Sequence, residues 1–264
     1  MNIVVCVKQT PSTTAVFSVD GGQVSWADSG DKPLVVNPWD EYAIEEAIRL
    51  TENHGAEKAV ALTVGAAEAA DVLKTSLAMG CAEAVLVSDD SFNGSDSLGT
   101  ARILAAAIKK LDASIVMFGK QAIDGDGGNT PVQVARQLGW TPLTYVSAIE
   151  SIDGDTIRVE RLLEDGKMTV EAKLPVVISV MKEINEPRYP SFMGIRKANR
   201  ATIPTWTAAD LDVAGPVGAA ASQVDWSNVY TMPAREGSVT MITGDSVADK
   251  VKKLVDALFE EKVI

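Results

Sequence analysis

The chain has 264 residues, with 36 acidic against 24 basic side chains and a formal net charge of −12. Binding nucleic acid needs a basic face, which this balance excludes. With His54 the only histidine, and Cys6 and Cys81 in no metal-ligand spacing, Ser-His-Asp and Cys-His catalysis and most zinc sites are excluded too.

The length suits one large α/β domain, or a domain with an appendage. The opening "MNIVVCVKQT" lacks the pattern of a cleaved signal, and no apolar run reaches the ~18 residues of a membrane span. A cytoplasmic chain with buried, free thiols is expected. The run "NIVVCV" predicts a strand buried on both faces. From Trp39 to about His54, Ala43, Ile44, Ala47, Ile48 and Leu50 recur at helical spacing, with Asp40 and Glu41 in the first turn where the helix dipole favours negative charge. Strand "AVALTVG", helix "AAEAADVLKTSLAMG", strand "AVLV", a helix from about Ser95 to Leu111 and strand "SIVMFG" follow. This alternation is that of parallel-sheet units.

Past Gly139 the pattern changes. "TPLTYVSAI", "DTIRVERLLED", "KMTVEAK" and "PVVISVM" are extended runs parted by Gly-Asp and Asp-Gly turns, so an antiparallel hairpin should join the sheet. The arm "NEPRYPSFMGIRKANRATIPTWTAADL" shows little periodicity and "VAGPVGAAAS" reads as a small-residue linker. A final helix carries Val247, Val251, Leu254, Val255 and Leu258 on one face. The organisation expected is an α/β core over 1–183, an extended arm over 184–235 and a helical segment over 236–264. So long an irregular arm is best explained if a partner surface orders it.

The informative stretch is "GKQAIDGDGGNTPVQVARQLGW", residues 119–140. A strand delivers a glycine-rich loop to a helix in which Thr130 suits the N-cap, Pro131 the first helical position and Gly139 the C-terminal stop. Backbone N–H groups from Gly127 to Thr130 are placed to converge on an anion. Asp124 and Asp126 would repel a phosphate unless they turn away and order the loop. There is no Walker pattern, and no Gly-x-Gly-x-x-Gly follows the first strand, so the loop suits a nucleotide held by main chain without an apparatus for phosphate cleavage. Lys8 and Gln9 read as loop contacts.

The segments "VCVKQTP", "VNPWDEYAIEEAIRL", "GKQAIDGD", "LTYVSAI" and "NEPRYPSFMGIRKA", with the terminal helix, resemble the β subunits of electron-transfer flavoproteins, in order and over nearly the whole chain. The resemblance implies a Rossmann-like parallel sheet flanked by helices, of the adenine-nucleotide alpha hydrolase and universal-stress type. It also implies an α subunit as partner and a FAD shared between the two. The β subunit would hold its own adenine nucleotide, AMP in carriers or a second FAD in bifurcating relatives. Carried over by motif, Cys6 lies beside the adenine, Asn37 contacts the adenosine, and Val64 lines the nucleotide. Asp124, Gly125, Asp126, Gly127, Gly128, Asn129 and Thr130 form the phosphate loop, while Trp39 faces the shared flavin. The sequence departs from the bifurcating pattern Asp-Gly-Asp-Thr-Ala-Gln-Val-Gly-Pro. Gly127, Gly128 and Asn129 replace Thr-Ala-Gln, and Thr130-Pro131 replace Val-Gly.

The same resemblance makes residues 185–198 a loop that docks on a flavin-containing dehydrogenase. Phe192 stands at the anchor position, with Arg188, Tyr189, Ile195, Arg196 and Lys197 around it. The implied function is electron transfer from such dehydrogenases to a quinone oxidoreductase or other acceptor, with no catalytic residue in this chain. Two alternatives stand beside it: NADH oxidation at a second FAD, and a stand-alone adenine-nucleotide-binding protein of the stress type.

Overall fold

Apolar runs without alternation become strands with helices on both faces. In the computed structural model, which describes residues 1–27, 34–226, 228–233, 237 and 239–264, β1 (Asn2–Cys6) is buried along almost its whole length. Ile3 and Val5 pack into one core, Val4 and Cys6 into the other. The chain then forms β2 (Gln9–Pro11), a β3 (Val16–Asp20) to β4 (Gln23–Ala27) hairpin, β5 (Leu34–Val36), which pairs with β2, and α1 (Pro38–Asn53). Next come β6 (Lys58–Val64), α2 (Ala70–Met79), β7 (Glu83–Val87), α3 (Ser97–Lys110), β8 (Ala113–Gly119) and α4 (Thr130–Leu138). The expected β/α alternation is present.

After Gly139, which closes α4 in the left-handed region, come β9 (Thr141–Asp153), β10 (Thr156–Leu163), β11 (Gly166–Lys173) and β12 (Val176–Val180). Antiparallel pairing joins β9, β10 and β11, while β12 runs parallel to both β9 and β8. Among the described residues one sheet has the order β11-β10-β9-β12-β8-β1-β6-β7-β13, where β13 is Thr205–Trp206. The helices α1 and α2 cover one face and α3 and α4 the other. Because β1 has β6 on one side and β8 on the other, the connections part there. Ligands of open α/β sheets bind at such a switch point, outside the carboxyl ends of the strands.

The chain divides into a unit over Met1–Val229 and a second over Tyr230–Ile264. Residues 184–229 fall in the first unit with the α/β core. The expected boundary at 235/236 lies outside the described residues. The arm is also more regular than its sequence suggests. It holds α5 (Phe192–Arg200), seated on α2, and β13, paired with β7. A Cβ on Gly194 would overlap the Ala78 carbonyl, and Ala198 is buried, so small residues bring α5 against α2. The stretch read as a linker lies on the core too, with Gly218 N donating to Ser95 Oγ (2.7 Å) and Arg102 to the Pro216 carbonyl (2.7 Å). In the second unit α6 (Val247–Glu260) starts at Ser246, whose Oγ accepts from Asp249 N. Its Val247, Val251, Leu254 and Val255 are exposed.

Candidate functional site

The carboxyl ends of β1 and β8 open into a cleft of about 760 Å³. Pockets for small ligands span roughly 300–1,000 Å³, so this one is large for its class. Val64, Val87, Leu104 and Phe118 give it apolar walls, and the loop from Lys120 to Thr130 gives it a polar rim.

That loop is shaped by its own hydrogen bonds. Asp126 sits at φ 49°, its amide donates to the Ala122 carbonyl (2.9 Å), and its carboxylate accepts from Gln121 Nε2 (2.6 Å). Gly128 lies at φ 60°, followed by Asn129 in the right-handed region. Alternation of left- and right-handed residues turns successive N–H groups toward one point, an anion-binding concavity. No atom lies within 4 Å of where a Cβ would stand on Gly125 or Gly127, so approach to the backbone is open there. Among the described residues no side chain caps α4. The first-turn donors are thus left for a ligand, where the helix dipole adds ~0.3–1 kcal/mol. The cap position belongs to Asn129 and not to Thr130, because the helix begins at Thr130 and the Asn129 carbonyl accepts the first intrahelical bond, from Gln133 N (3.1 Å).

Both loop aspartates are engaged. Asp126 is held by Gln121, and Asp124 accepts from Lys8 Nζ through both oxygens at 2.7 Å. Neither is left as a bare charge facing an anion.

The first turn of α1 holds the loop from below. Asn37 is buried, its Nδ2 donating to the Gln121 carbonyl (2.9 Å) and its Oδ1 accepting from Ile123 N (3.2 Å). Asp40 is buried as well, and its carboxylate accepts from Lys8 N (2.8 Å) and Gly119 N (3.1 Å). Burial lifts the Asp40 carboxyl to about 7, against the pull of those hydrogen bonds. Burial, with Asp40 nearby, also holds the Cys6 thiol well above its ordinary value, so the thiol on the cleft wall is protonated and inert.

Of the residues expected at the nucleotide, Cys6, Asn37, Val64, Asp124, Gly125, Gly127, Gly128, Asn129 and Thr130 line the cleft together. Asp126 and Trp39 do not. Asp126 is turned into its own loop. Trp39 lies beside the cleft, 6.4 Å from the Tyr42 ring and 5.3 Å from Lys120 Nζ. Sequence reading missed Asp40, although Asp40, Ala43, Ile44 and Ala47 fall on one helical stripe and place it inward. It also missed Ser222, Val224 and Trp226, which reach the rim from the stretch after the small-residue segment and leave no local signal.

The expected docking residues fall into two groups. Tyr189, Phe192 and Ile195 are exposed, Tyr189 at 93% and Phe192 at 76%, with Arg196, Lys197 and, outside the expected set, Met193 exposed beside them. Phe192 does not pack on its own core. Arg188 turns the other way. Its Nε and Nη2 donate to Glu45 (2.7 and 3.1 Å), its Nη1 and Nη2 to Glu52 (2.8 and 2.9 Å), and its amide to Glu45 (3.2 Å). Asn185 adds bonds to the Tyr42 carbonyl and to Glu46, both at 3.0 Å. Glu45 is buried, which alone would raise its pKa, but the bonds from Arg188 and Arg49 outweigh burial and lower it.

The family described as "Electron transfer flavoprotein domain" matches residues 26–211. The electron transfer flavoprotein subunit beta of Clostridium acetobutylicum is 43% identical over 213 residues, 81% of each chain. That of Thermoanaerobacterium thermosaccharolyticum is 40% identical over 269 residues, all of both chains. A subunit of the caffeyl-CoA reductase-Etf complex of Acetobacterium woodii, CarD, is 36% identical over 266 residues, again all of both chains. Among the described residues no helix is long and apolar enough to cross a membrane. The likeness extends over the whole chain, which belongs to the electron transfer flavoprotein family, among its β subunits.

Proposed function

We propose that this chain, bound to an α subunit, forms a heterodimeric electron carrier with one FAD shared between the subunits and an adenine nucleotide, AMP, held in the β-subunit cleft. The observation that carries the reading is the uncapped N-terminus of α4 behind a loop whose Gly128–Asn129 turn gathers N–H groups at the open end of the cleft. Such a site holds a phosphate through main chain and offers no chemistry of its own. FAD supplies the redox chemistry when bound. The β chain binds the nucleotide, presents Trp39 and Lys120 beside the cleft, and docks the donor through α5. Electrons pass from a flavin-containing dehydrogenase to a quinone oxidoreductase or other acceptor. Family membership displaces the stand-alone stress-type reading.

The size of the cleft favours one second reading. At about 760 Å³ it exceeds the need of a mononucleotide, and a second FAD in it would make the heterodimer a bifurcating enzyme that oxidises NADH. Reduction assays separate the two. The carrier's flavin bleaches when a dehydrogenase and its substrate are added, and NADH alone leaves it oxidised; prompt bleaching by NADH alone establishes the second reading. If the α subunit without this chain accepts electrons as fast as the heterodimer, both readings fail.

A further inference from the structure

Resting on the reading of the cleft as a nucleotide site, we propose that the Asp40 carboxylate is the latch that positions the nucleotide loop, by holding the Lys8 and Gly119 amides at the floor of the cleft. Asp40 Oδ2 accepts from Lys8 N at 2.8 Å and Oδ1 from Gly119 N at 3.1 Å. Gly119 ends β8 and begins the loop, while Lys8 follows β1 and reaches over to Asp124 within the same loop. One carboxylate thus joins the two strands that flank the cleft at the level where the loop departs. Gly119 is matched to it. A Cβ there would collide with Trp39 backbone atoms and with Asp40 Oδ1, so only glycine lets the amide meet the acid.

Only the ionised carboxylate presents an acceptor to each amide without a competing proton. Once protonated, its hydroxyl oxygen is a poor partner for one of the two N–H groups, and that side of the latch loosens. Because burial lifts the Asp40 carboxyl to about 7, this change falls near neutrality. The charged and titratable groups that act on it are Cys6 from β1 and Lys8 just after it, with Glu41 next to it on its own helix. Cys6 is held protonated and Lys8 is paired with Asp124. Burial raises the Glu41 carboxyl. Asp40 is therefore a positioning residue that acts through the loop.

The test uses the heterdimer with its α subunit and AMP as probe, following release of bound AMP from pH 5.5 to 8.5, in wild type and in Asp40→Asn. These conditions bracket the value of about 7. In the wild type, release quickens about tenfold as pH falls through neutrality; Asp40→Asn, whose Nδ2 sets a donor against one of the two backbone amides, releases AMP fast at every pH. Titration of the phosphate itself is common to both proteins and cancels in the comparison. If wild-type release instead slows on acidification relative to the variant, the carboxylate acts only as a like charge against phosphate, and the latch is wrong. Hydrogen exchange at the Lys8 and Gly119 amides gives a reading that needs no ligand. Both exchange faster in Asp40→Asn than in wild type, and unchanged exchange overturns the proposal. A protein that binds no AMP but shows the exchange difference refutes the AMP reading of the cleft and leaves the latch standing as a fact about the loop.

Discussion

The cleft at the carboxyl ends of β1 and β8 and the exposed face of α5, in the roles proposed for them, solve opposite problems. In the cleft the side chains are spent inward: Asn37, Asp40, Lys8 and Gln121 all bind the loop, and the ligand is left to main-chain donors. Ahead of α5, Arg188 and Asn185 secure the base of the segment, and on the helix the large apolar side chains of Phe192, Met193 and Ile195 face outward. Main chain suits a permanently held nucleotide, because its geometry is fixed once the loop is fixed. Exposed side chains suit a partner that must leave, since a few anchors give specificity over a small area. The difference separates holding from visiting.

Gly194→Val attacks the seat of α5 and should have the largest effect. Its branched side chain meets the Ala78 carbonyl, so about 3 kcal/mol of stability is lost or α5 lifts from α2. Denaturant unfolding reads the first outcome and loss of dehydrogenase docking the second. In both cases the nucleotide content proposed for the cleft should be unchanged.

Arg188→Ala comes next. It strips Glu45 and Glu52 of charge-assisted hydrogen bonds, and with the Arg188 side chain 35% exposed about 2 kcal/mol is a fair size after screening. Because Glu45 is held below its ordinary 4.5 in the folded chain, its contribution is present above that pH and is lost as pH falls through the lowered value. The gap in unfolding midpoint between wild type and variant is therefore widest at neutral pH and narrows in acid; a gap that ignores pH would show that Glu45 is not the group involved.

Phe192→Ala should leave stability and nucleotide content alone, since the ring is already 76% exposed. It should slow reduction by the partner dehydrogenase about 30-fold, the weight of an interface anchor of ~2 kcal/mol. Loss of flavin from this variant would assign the ring to the fold instead. The smallest effect belongs to Lys8→Ala. That pair is exposed and worth less than ~1 kcal/mol to stability, but its loss leaves Asp124 unneutralised beside the phosphate loop. AMP affinity should fall about threefold, as measured by calorimetric titration, with no change at α5.

These effects differ in how far the sequence announces them. The unbroken run "NIVVCV" and the β/α alternation make the parallel sheet legible, because strands covered on both faces carry no polar positions. The glycine-rich loop ahead of Thr130-Pro131 makes the loop's concave backbone legible, since the backbone requirement is written in the residue types. The Asp40 latch was half visible. Its place on the apolar stripe of α1 says inward, but the amides it meets lie 32 and 79 positions away in the chain. Arg188 was illegible for the same reason. Among exposed neighbours it reads as a docking cation, and only the third dimension brings Glu45 and Glu52 beneath it. The regularity of the arm was hidden too, because β13 has only two residues and α5 depends on the small Gly194 and Ala198 to lie against α2.

The central claim is that the cleft holds an adenine nucleotide of its own. The most direct test is to purify the heterodimer, release its nucleotides by heat, and count them by chromatography. The account predicts an adenine nucleotide in addition to the shared FAD, AMP for a carrier or a second FAD for a bifurcating enzyme. A heterodimer that yields a single FAD and nothing else would contradict it.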